Sequence, residues 1–273
     1  MNCDAIQVYR GLEAISGAAS AAERRRLDHR LLGVVEVDGE FSAGRFANLA
    51  HAEIDQLVAE GRRPIVVGGT GLYLRAALSD LDLRPPVPAG TRAEVEREIA
   101  ERGPEAVHSE LDPDLAATVH PNDRKRIARL AELERAGIEP PRSSERLWTQ
   151  GLRHPTVLAG LVLDRDELAR RIDARVEAMV AAGAREEAAR ADAGGASRTA
   201  RAAIGFDELL RDDVEAMKRA QRRYARRQLT WMRKMRGVEL VDRGGREDVE
   251  VAADVVALLD AGPSEGGPGP GLE

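Results

Sequence analysis

The feature that most constrains this chain is Pro64-Ile65-Val66-Val67 running directly into Gly68-Gly69-Thr70-Gly71. A short apolar run without polar alternation predicts a strand buried on both faces, as in parallel sheets covered by helices. The glycines predict a tight turn at the strand's carboxyl end, where open α/β sheets bind ligands. The neighbouring segments agree with this. Ser42 is placed to cap a helix with Phe46, Leu49, Ile54 and Leu57 on one face, and Gly61 follows its end. Tyr73 to Leu78 starts the next helix. Thr156 to Leu163 is a second apolar strand. Asp164 and Glu167 predict a capping box for a helix striped by Leu168, Ile172, Val176, Met179 and Val180, which stops at Gly183. Ala191 to Thr199 reads as a small-residue loop. Val238 to Val241 is a short strand, and a last helix runs from Asp248 to Leu259.

Leu81 to Pro88 holds three prolines and reads as a linker. Residues 91–138 are helical in pattern, with breaks at Gly103-Pro104, Asp112-Pro113 and His120-Pro121. Glu139 to Ser144 is again rich in Pro and Ser. The expected fold is therefore α/β, with a doubly wound parallel sheet. Residues 1–80 and 151–260 would form the core, and 81–150 an inserted helical domain. The Gly/Pro-rich 261–273 would be a disordered tail. With 273 residues there is length for a real core, and 32% charged residues fit a soluble chain. No apolar run approaches the ~18 residues of a membrane span. The single cysteine cannot form an internal disulfide, which points to the cytoplasm. One Cys and five scattered His argue against structural zinc.

The net charge of −6 conceals an asymmetry. Residues 217–236 carry nine Lys or Arg and no Asp or Glu, so the remainder is strongly acidic. Such a block predicts a polyanionic partner. Tyr224, Gln228, Trp231 and Met235 share a side of this expected helix, and Arg219, Arg222, Arg226 and Arg233 form a stripe along it. Basic and aromatic residues interleaved in this way suit a nucleic-acid backbone with adjacent bases, although Trp231 itself suits the core better. Three other segments can carry chemistry. In Asp4 to Gly11, a carboxylate at a strand end can accept a proton, and the Gln7 amide can pair with an adenine edge. In Gly68 to Tyr73, bare backbone and the Thr70 hydroxyl meet a helix start; the segment is not a Walker A loop, because it has no Lys. In His120 to Arg129, Asn122 or Asp123 can cap a helix that sets Arg126 and Arg129 on one face, a spacing that suits phosphate oxygens. Taken singly, each is also what an ordinary turn or a solvated face produces.

Together and in this order, the segments resemble the tRNA dimethylallyltransferase family, also called tRNA isopentenyltransferase. The family pattern has Asp-Ser-x-Gln-x-Tyr-x-Gly, Gly-Gly-Thr-x-x-Tyr, His-Pro-Asn-Asp-x-x-Arg-x-x-Arg, Ile-Gly-Tyr/Phe and Arg-x-Tyr-Ala-Lys/Arg-Arg-Gln-x-Thr-Trp. Here these are Asp4 to Gly11, Gly68 to Tyr73, His120 to Arg129, Ile204 to Phe206 and Arg222 to Trp231. The resemblance spans about residues 2–242. It implies a P-loop NTPase-like, nucleotide-binding (ATP-binding) core with an inserted helical domain. It also implies transfer of a dimethylallyl group from dimethylallyl diphosphate to N6 of the adenine beside the anticodon, by a cytoplasmic monomer with Mg²⁺.

By the same resemblance Asp4 takes the N6 proton, and Ala5 and Ile6 line the tRNA beside it. Gln7 reads the flipped-out adenine, and Thr70 touches the tRNA in the reaction channel. Arg92, Lys125, Arg126 and Arg129 hold tRNA from the insertion. Arg222 neutralises the leaving diphosphate, and Arg226, Arg227 and Gln228 complete that wall. The sequence departs from the pattern in three places. Ala5 stands for the family's Ser, and Ser16 to Ser20 replaces a Gly-Thr-Ala-Lys-Pro loop. No Gly-Lys pair occurs anywhere, so the Gly-x-x-x-x-Gly-Lys-Ser/Thr loop expected before Asp4, with its metal-binding hydroxyl, is not among these residues. The alternatives are a non-catalytic tRNA-binding remnant and a nucleotide kinase, which would also need that loop.

If the basic segments hold tRNA, affinity should fall steeply between about 50 and 200 mM salt, with a log–log slope set by the phosphates neutralised. A flat salt response in a filter-binding titration would remove the nucleic-acid reading.

Overall fold

The computed structural model describes residues 1–140 and 151–262. The expected domain boundary near 150 and nearly all of the expected C-terminal tail lie outside the described residues. The chain divides into two compact units: Met1–Asp80 together with the C-terminal part, and a second unit that begins at Leu81.

The first unit opens with α1 (Glu13–Ser16), α2 (Ala21–Arg26), α3 (Ala43–Ala59) and α4 (Gly71–Leu78). The second contains α5 (Ala89–Arg102), α6 (Pro104–His108), α7 (Pro113–Ala116) and α8 (Arg124–Arg135). The chain continues with β1 (Leu158–Val162), α9 (Arg165–Ala181), α10 (Ala184–Ala193), α11 (Phe206–Leu210), α12 (Val214–Met232), β2 (Val238–Asp242) and α13 (Asp248–Ala261).

Local chemistry accounts for most of these boundaries. The Ser42 hydroxyl accepts the Arg45 N–H to start α3, and Gly61, at φ +71°, turns the chain after it. Phe46, Ala50, Ile54 and Leu57 are buried along α3, but Leu49 falls at the edge of that stripe and is 42% exposed. The Asp164 carboxylate caps α9 through the Asp166 and Glu167 N–H groups. The reciprocal half of the expected box does not form, because Glu167 pairs with Arg171 one turn along. The expected loop from Ala191 is helical up to Ala193, because its alanines favour helix and Ala188 and Ala191 pack inward. In the second unit, Gly103-Pro104, Asp112-Pro113 and His120-Pro121 fall at the joints between helices. Val95, Ile99, Val107, Leu111, Val119, Ile127 and Ala131 give this unit a core of its own.

The sheet is smaller than the sequence predicts. β1 and β2 are parallel, with Leu158 opposite Val238 and Val162 opposite Asp242. The 64–67 run does not join them as a regular strand. It pairs with the N-terminus in a single parallel bridge, Asn2 with Val67. Three bonds hold this pairing: the Met1 amine to the Ile65 carbonyl (2.7 Å), the Val67 N–H to the Met1 carbonyl (2.9 Å), and the Cys3 N–H to the Val67 carbonyl (2.8 Å). Among the described residues no further strand lies against this pair or against β1. Ile65, Val67 and Leu161 are therefore half to two-thirds exposed, although they are apolar enough for a buried sheet.

The bridge ends at the Gly68 turn. A Cβ on Gly68 would lie 2.6 Å from the Cys3 carbonyl carbon and 2.6 Å from its sulfur, so the two segments meet only because residue 68 has no side chain. Cys3 is fully buried there, and burial, with Asp4 adding to it, pushes its thiol up to about 12. We expect Gly68→Ala to cost about 1–3 kcal/mol, as overpacking against backbone does. It should also speed the labelling of Cys3, the one cysteine, by a thiol reagent at pH 8. Labelling as slow as in the unmodified chain would show that the contact gives way without cost.

Candidate functional site

The bridge and the Gly68 turn bring the Asp4 and Thr70 segments together. Asn2 fixes the start: its amide donates to the Leu31 carbonyl at 2.9 Å, and its Oδ1 accepts the Asp4 N–H at 2.9 Å. The chain then turns over the Asp4 side chain. Asp4 Oδ1 accepts the Ile6 N–H at 2.8 Å and, more weakly, the Gln7 N–H at 3.4 Å. This commits one carboxylate oxygen to the turn and leaves Oδ2 facing the Thr70 hydroxyl at 3.5 Å. Thr70 Oγ1 in turn accepts the Ala5 N–H at 3.2 Å. Ala5 and Ile6 thus contribute backbone to the turn. Gln7 donates its amide to the Ser16 and Gly17 carbonyls at 3.3 and 3.4 Å, which ties it to the end of α1. The other end of α1 is held by buried Glu187 of α10, whose two oxygens accept the Ala14 and Ile15 N–H groups, each at 2.9 Å.

α12 closes the site from its other side. Tyr224 donates its hydroxyl to the Gly69 carbonyl at 2.7 Å and lies 3.2 Å from Thr70 Oγ1. Gln228, one turn further on, donates to the same carbonyl at 3.0 Å. A Cβ on Gly69 would sit 2.0 Å from the Gln228 amide nitrogen, so a side chain there would turn the flexible end of Gln228 away from the carbonyl. Burial is the main reason the Tyr224 phenol is raised above its ordinary value. The Arg227 guanidinium stacks over the Tyr224 ring, 5.3 Å from its centre.

The basic block is divided. The expected stripe from Arg219 to Arg233 does not persist, because α12 ends at Met232 and Arg233 is its C-cap. On the inner turns, Arg222 pairs with Asp173 of α9, and Lys218 with Glu177 and Glu215 at 2.8 and 2.9 Å. These acids hold the Lys218 ammonium well above its usual range. Arg223, Arg226 and Arg227 are exposed. Trp231 is half-buried, as a core-edge residue rather than an open stacking platform.

In the second unit, Asp123 caps α8 by accepting the Arg126 N–H at 3.2 Å. Arg126 and Arg129 do not act alike, although the spacing puts them on one face. Arg126 and Lys125 are exposed. Arg129 turns inward: it meets buried Glu132 at 3.2 Å and donates to the Arg84 and Pro85 carbonyls at 3.2 and 2.8 Å. Arg92 forms an ion pair with the same Glu132 at 3.4 Å. Arg92 and Arg129 therefore neutralise a carboxylate that would be costly to bury alone. The i+3 spacing of Arg129 and Glu132 made that pair readable in advance. Nothing in the sequence linked Arg92 to Glu132, Arg222 to Asp173, or Glu187 to α1.

The remaining motif residues pack. The Tyr9 ring is buried and its hydroxyl lies 2.6 Å from Thr199 Oγ1. The Tyr73 ring lies 4.6 Å from that of Phe46. Gly205 adopts φ +103° against Met217, and Phe206 is fully buried. Among the described residues no group of three or more His, Cys, Asp or Glu could hold a metal ion. No helix among the described residues is long and apolar enough to cross a membrane.

Arg129→Ala should therefore destabilise the second unit by about 1–3 kcal/mol, the scale for unmatched buried hydrogen-bonding groups. Arg126→Ala should leave the melting temperature within a degree or two and lower affinity for an RNA anticodon stem-loop. Equal effects of the two on melting would contradict this division.

The geometry can be set beside known proteins. The family model described as IPP transferase matches residues 7–235. A tRNA dimethylallyltransferase of Anaeromyxobacter sp. (strain Fw109-5) is 42% identical over 254 residues, 88% of this chain and 85% of that protein. One from Geobacillus thermodenitrificans is 36% identical over 273 residues, 95% of this chain and 87% of that one. The crystal structure of the full-length tRNA isopentenylpyrophosphate transferase from Bacillus halodurans matches with a TM-score of 0.66 at 30% identity, covering 95% of this chain and 88% of its own. A eukaryotic dimethylallyltransferase acting on tRNA shares the fold at a TM-score of 0.75 and 23% identity, covering 98% of this chain and 75% of its own. With a family match across most of its length and relatives this similar over nearly all of it, the chain belongs to the IPP transferase family.

Proposed function

We propose that the chain transfers a dimethylallyl group from dimethylallyl diphosphate to N6 of the adenine next to the anticodon in tRNA. The observation that carries this reading is the Asp4 carboxylate. Its Oδ1 is held by its own turn, and its Oδ2 is turned toward the Thr70 hydroxyl under α12. A carboxylate presented in this way can take a proton without losing the backbone bonds that fix it.

In the reaction, the N6 lone pair attacks C1 of the dimethylallyl group. The bond from C1 to the diphosphate oxygen breaks, and its electron pair leaves with the diphosphate. Asp4 receives the N6 proton. The diphosphate gains charge as it departs, which calls for cations. Arg222 has five N–H donors and spends one end on Asp173, while Arg226 and Arg227 are exposed along the same helix. Gln7 reads the adenine in this scheme, and Gln228 acts by fixing the Gly69 carbonyl. Lys125 and Arg126 offer exposed cations for the RNA backbone, with Arg92 and Arg129 supporting them from beneath. In the same reading, the parallel sheet is part of a P-loop NTPase-like core, and the protein works as a cytoplasmic monomer.

The test is prenyl transfer to an anticodon stem-loop. It is measured in single turnover. Asp4→Ala should lower the rate about 100-fold or more while leaving RNA affinity unchanged. A protein that binds both substrates and never transfers would make this a tRNA-binding module instead.

A further inference from the structure

The Thr70 hydroxyl has one proton and two acceptors within reach. Tyr224 cannot supply the proton between them. Its own proton goes to the Gly69 carbonyl, which can only accept and lies closer, at 2.7 Å against 3.2 Å. Thr70 already accepts from the Ala5 N–H at 3.2 Å. Its single proton is therefore directed either to the Tyr224 oxygen at 3.2 Å or to Asp4 Oδ2 at 3.5 Å. Which acceptor wins depends on charge, because a carboxylate is a far stronger acceptor than a phenol and a protonated carboxyl is not.

We propose that Tyr224 is a positioning residue for Asp4: anchored on the Gly69 carbonyl, its oxygen is the alternative acceptor that lets the Thr70 hydroxyl release Asp4 when Asp4 takes up a proton. The Thr70 hydroxyl points to Asp4 while Asp4 is charged and swings to Tyr224 once Asp4 is neutral. Neither state leaves the half-buried Thr70 hydroxyl without a partner, whose absence would be costly. Gln228 keeps the Gly69 carbonyl in place throughout, so the Tyr224 oxygen stays where Thr70 can reach it. The titratable groups that act on this set are Cys3, Tyr73 and Tyr224 around Asp4, with Arg227 over the Tyr224 ring. The inference deepens the reading of Asp4 as the base and rests on it for its catalytic meaning.

The test needs no turnover. The Asp4 side-chain carboxyl is titrated by carbon-detected NMR in the 273-residue chain, in Tyr224→Phe, in Thr70→Val and in the double variant. Tyr224→Phe keeps the ring and its Arg227 stack but removes the alternative acceptor. Thr70 then donates to Asp4 alone, the charged form gains, and the proton affinity of Asp4 should fall about threefold. Thr70→Val removes the donor, so the affinity should rise. In the Thr70→Val background, Tyr224→Phe should change nothing further, because the coupling runs through Thr70. An unchanged Asp4 midpoint in Tyr224→Phe, or an equal change with and without Thr70, would overturn the proposal. If Tyr224→Phe fails to fold, 3-fluorotyrosine at position 224, a weaker acceptor of similar size, must move the midpoint in the same downward direction. The transfer assay separates the two ideas. Asp4→Ala retaining transfer would remove the catalytic reading and leave the titration result standing. A titration without coupling would remove the role of Tyr224 and leave the catalytic reading standing.

Discussion

The Gly69 carbonyl is the point on which the candidate site turns. It accepts two side-chain donors from successive turns of α12, Tyr224 and Gln228, and this locks the glycine turn to the helix. Thr70 follows directly in the chain, so its hydroxyl is placed by the same two bonds. Asp4 reaches Thr70 through the parallel bridge on the other side, which closes only where Gly68 lets the Cys3 backbone approach. Three segments remote in sequence thus converge through bare backbone. A side chain at Gly68 would push the Cys3 backbone away, and one at Gly69 would turn the Gln228 amide off the carbonyl. The two glycines serve close approach rather than an unusual backbone angle.

The arginines are divided between support and exposure. In a chain this rich in Arg, charge alone says little about role, and partners decide it. Arg129 and Arg92 meet one buried carboxylate, and Arg222 meets Asp173, whereas Arg126 makes an exposed pair with Asp123 at 3.4 Å and Arg226 and Arg227 are exposed. A guanidinium already shared with a carboxylate is held in a fixed orientation but has less charge to offer an incoming phosphate. On α12 the paired cations, Lys218 and Arg222, meet acids of α9, and the exposed Arg223, Arg226 and Arg227 lie further along the helix.

The sequence was legible where local chemistry decides the structure. Ser42, Asp123 and Asp164 cap the helices they precede, and the Pro breaks in the second unit fall at its helix joints. The juxtaposition of Asp4 with Thr70 was also readable, because each was expected at the carboxyl end of a strand, where open α/β sheets gather their ligand-binding groups. The extent of the sheet was not legible. An apolar run such as Ile65 to Val67 has the composition of a central strand, but a regular strand needs a ladder, and a ladder depends on neighbours that composition does not name. The partners of Arg92, Arg222 and the α1 helix were hidden for the same reason: each is a long-range contact that leaves no local periodicity. Tyr224 was readable as facing away from the arginine stripe. Only the fold brings its hydroxyl to a carbonyl and another hydroxyl at once.

The capping of α1 by Glu187 bears on the order in which the protein matures on the ribosome. The first turn of that helix depends on a carboxylate 173 positions later, and the Gly69 turn depends on a tyrosine 155 positions later. Both are supplied long after the N-terminal segment has emerged. The second unit has its own core and draws on contacts within itself, so a nascent chain can complete it while Asp4 and Gln7 still lack their supports. Residues synthesised early are thus among the last to take their final places. A chain interrupted before residue 224 would hold a folded helical unit and an unfinished candidate site.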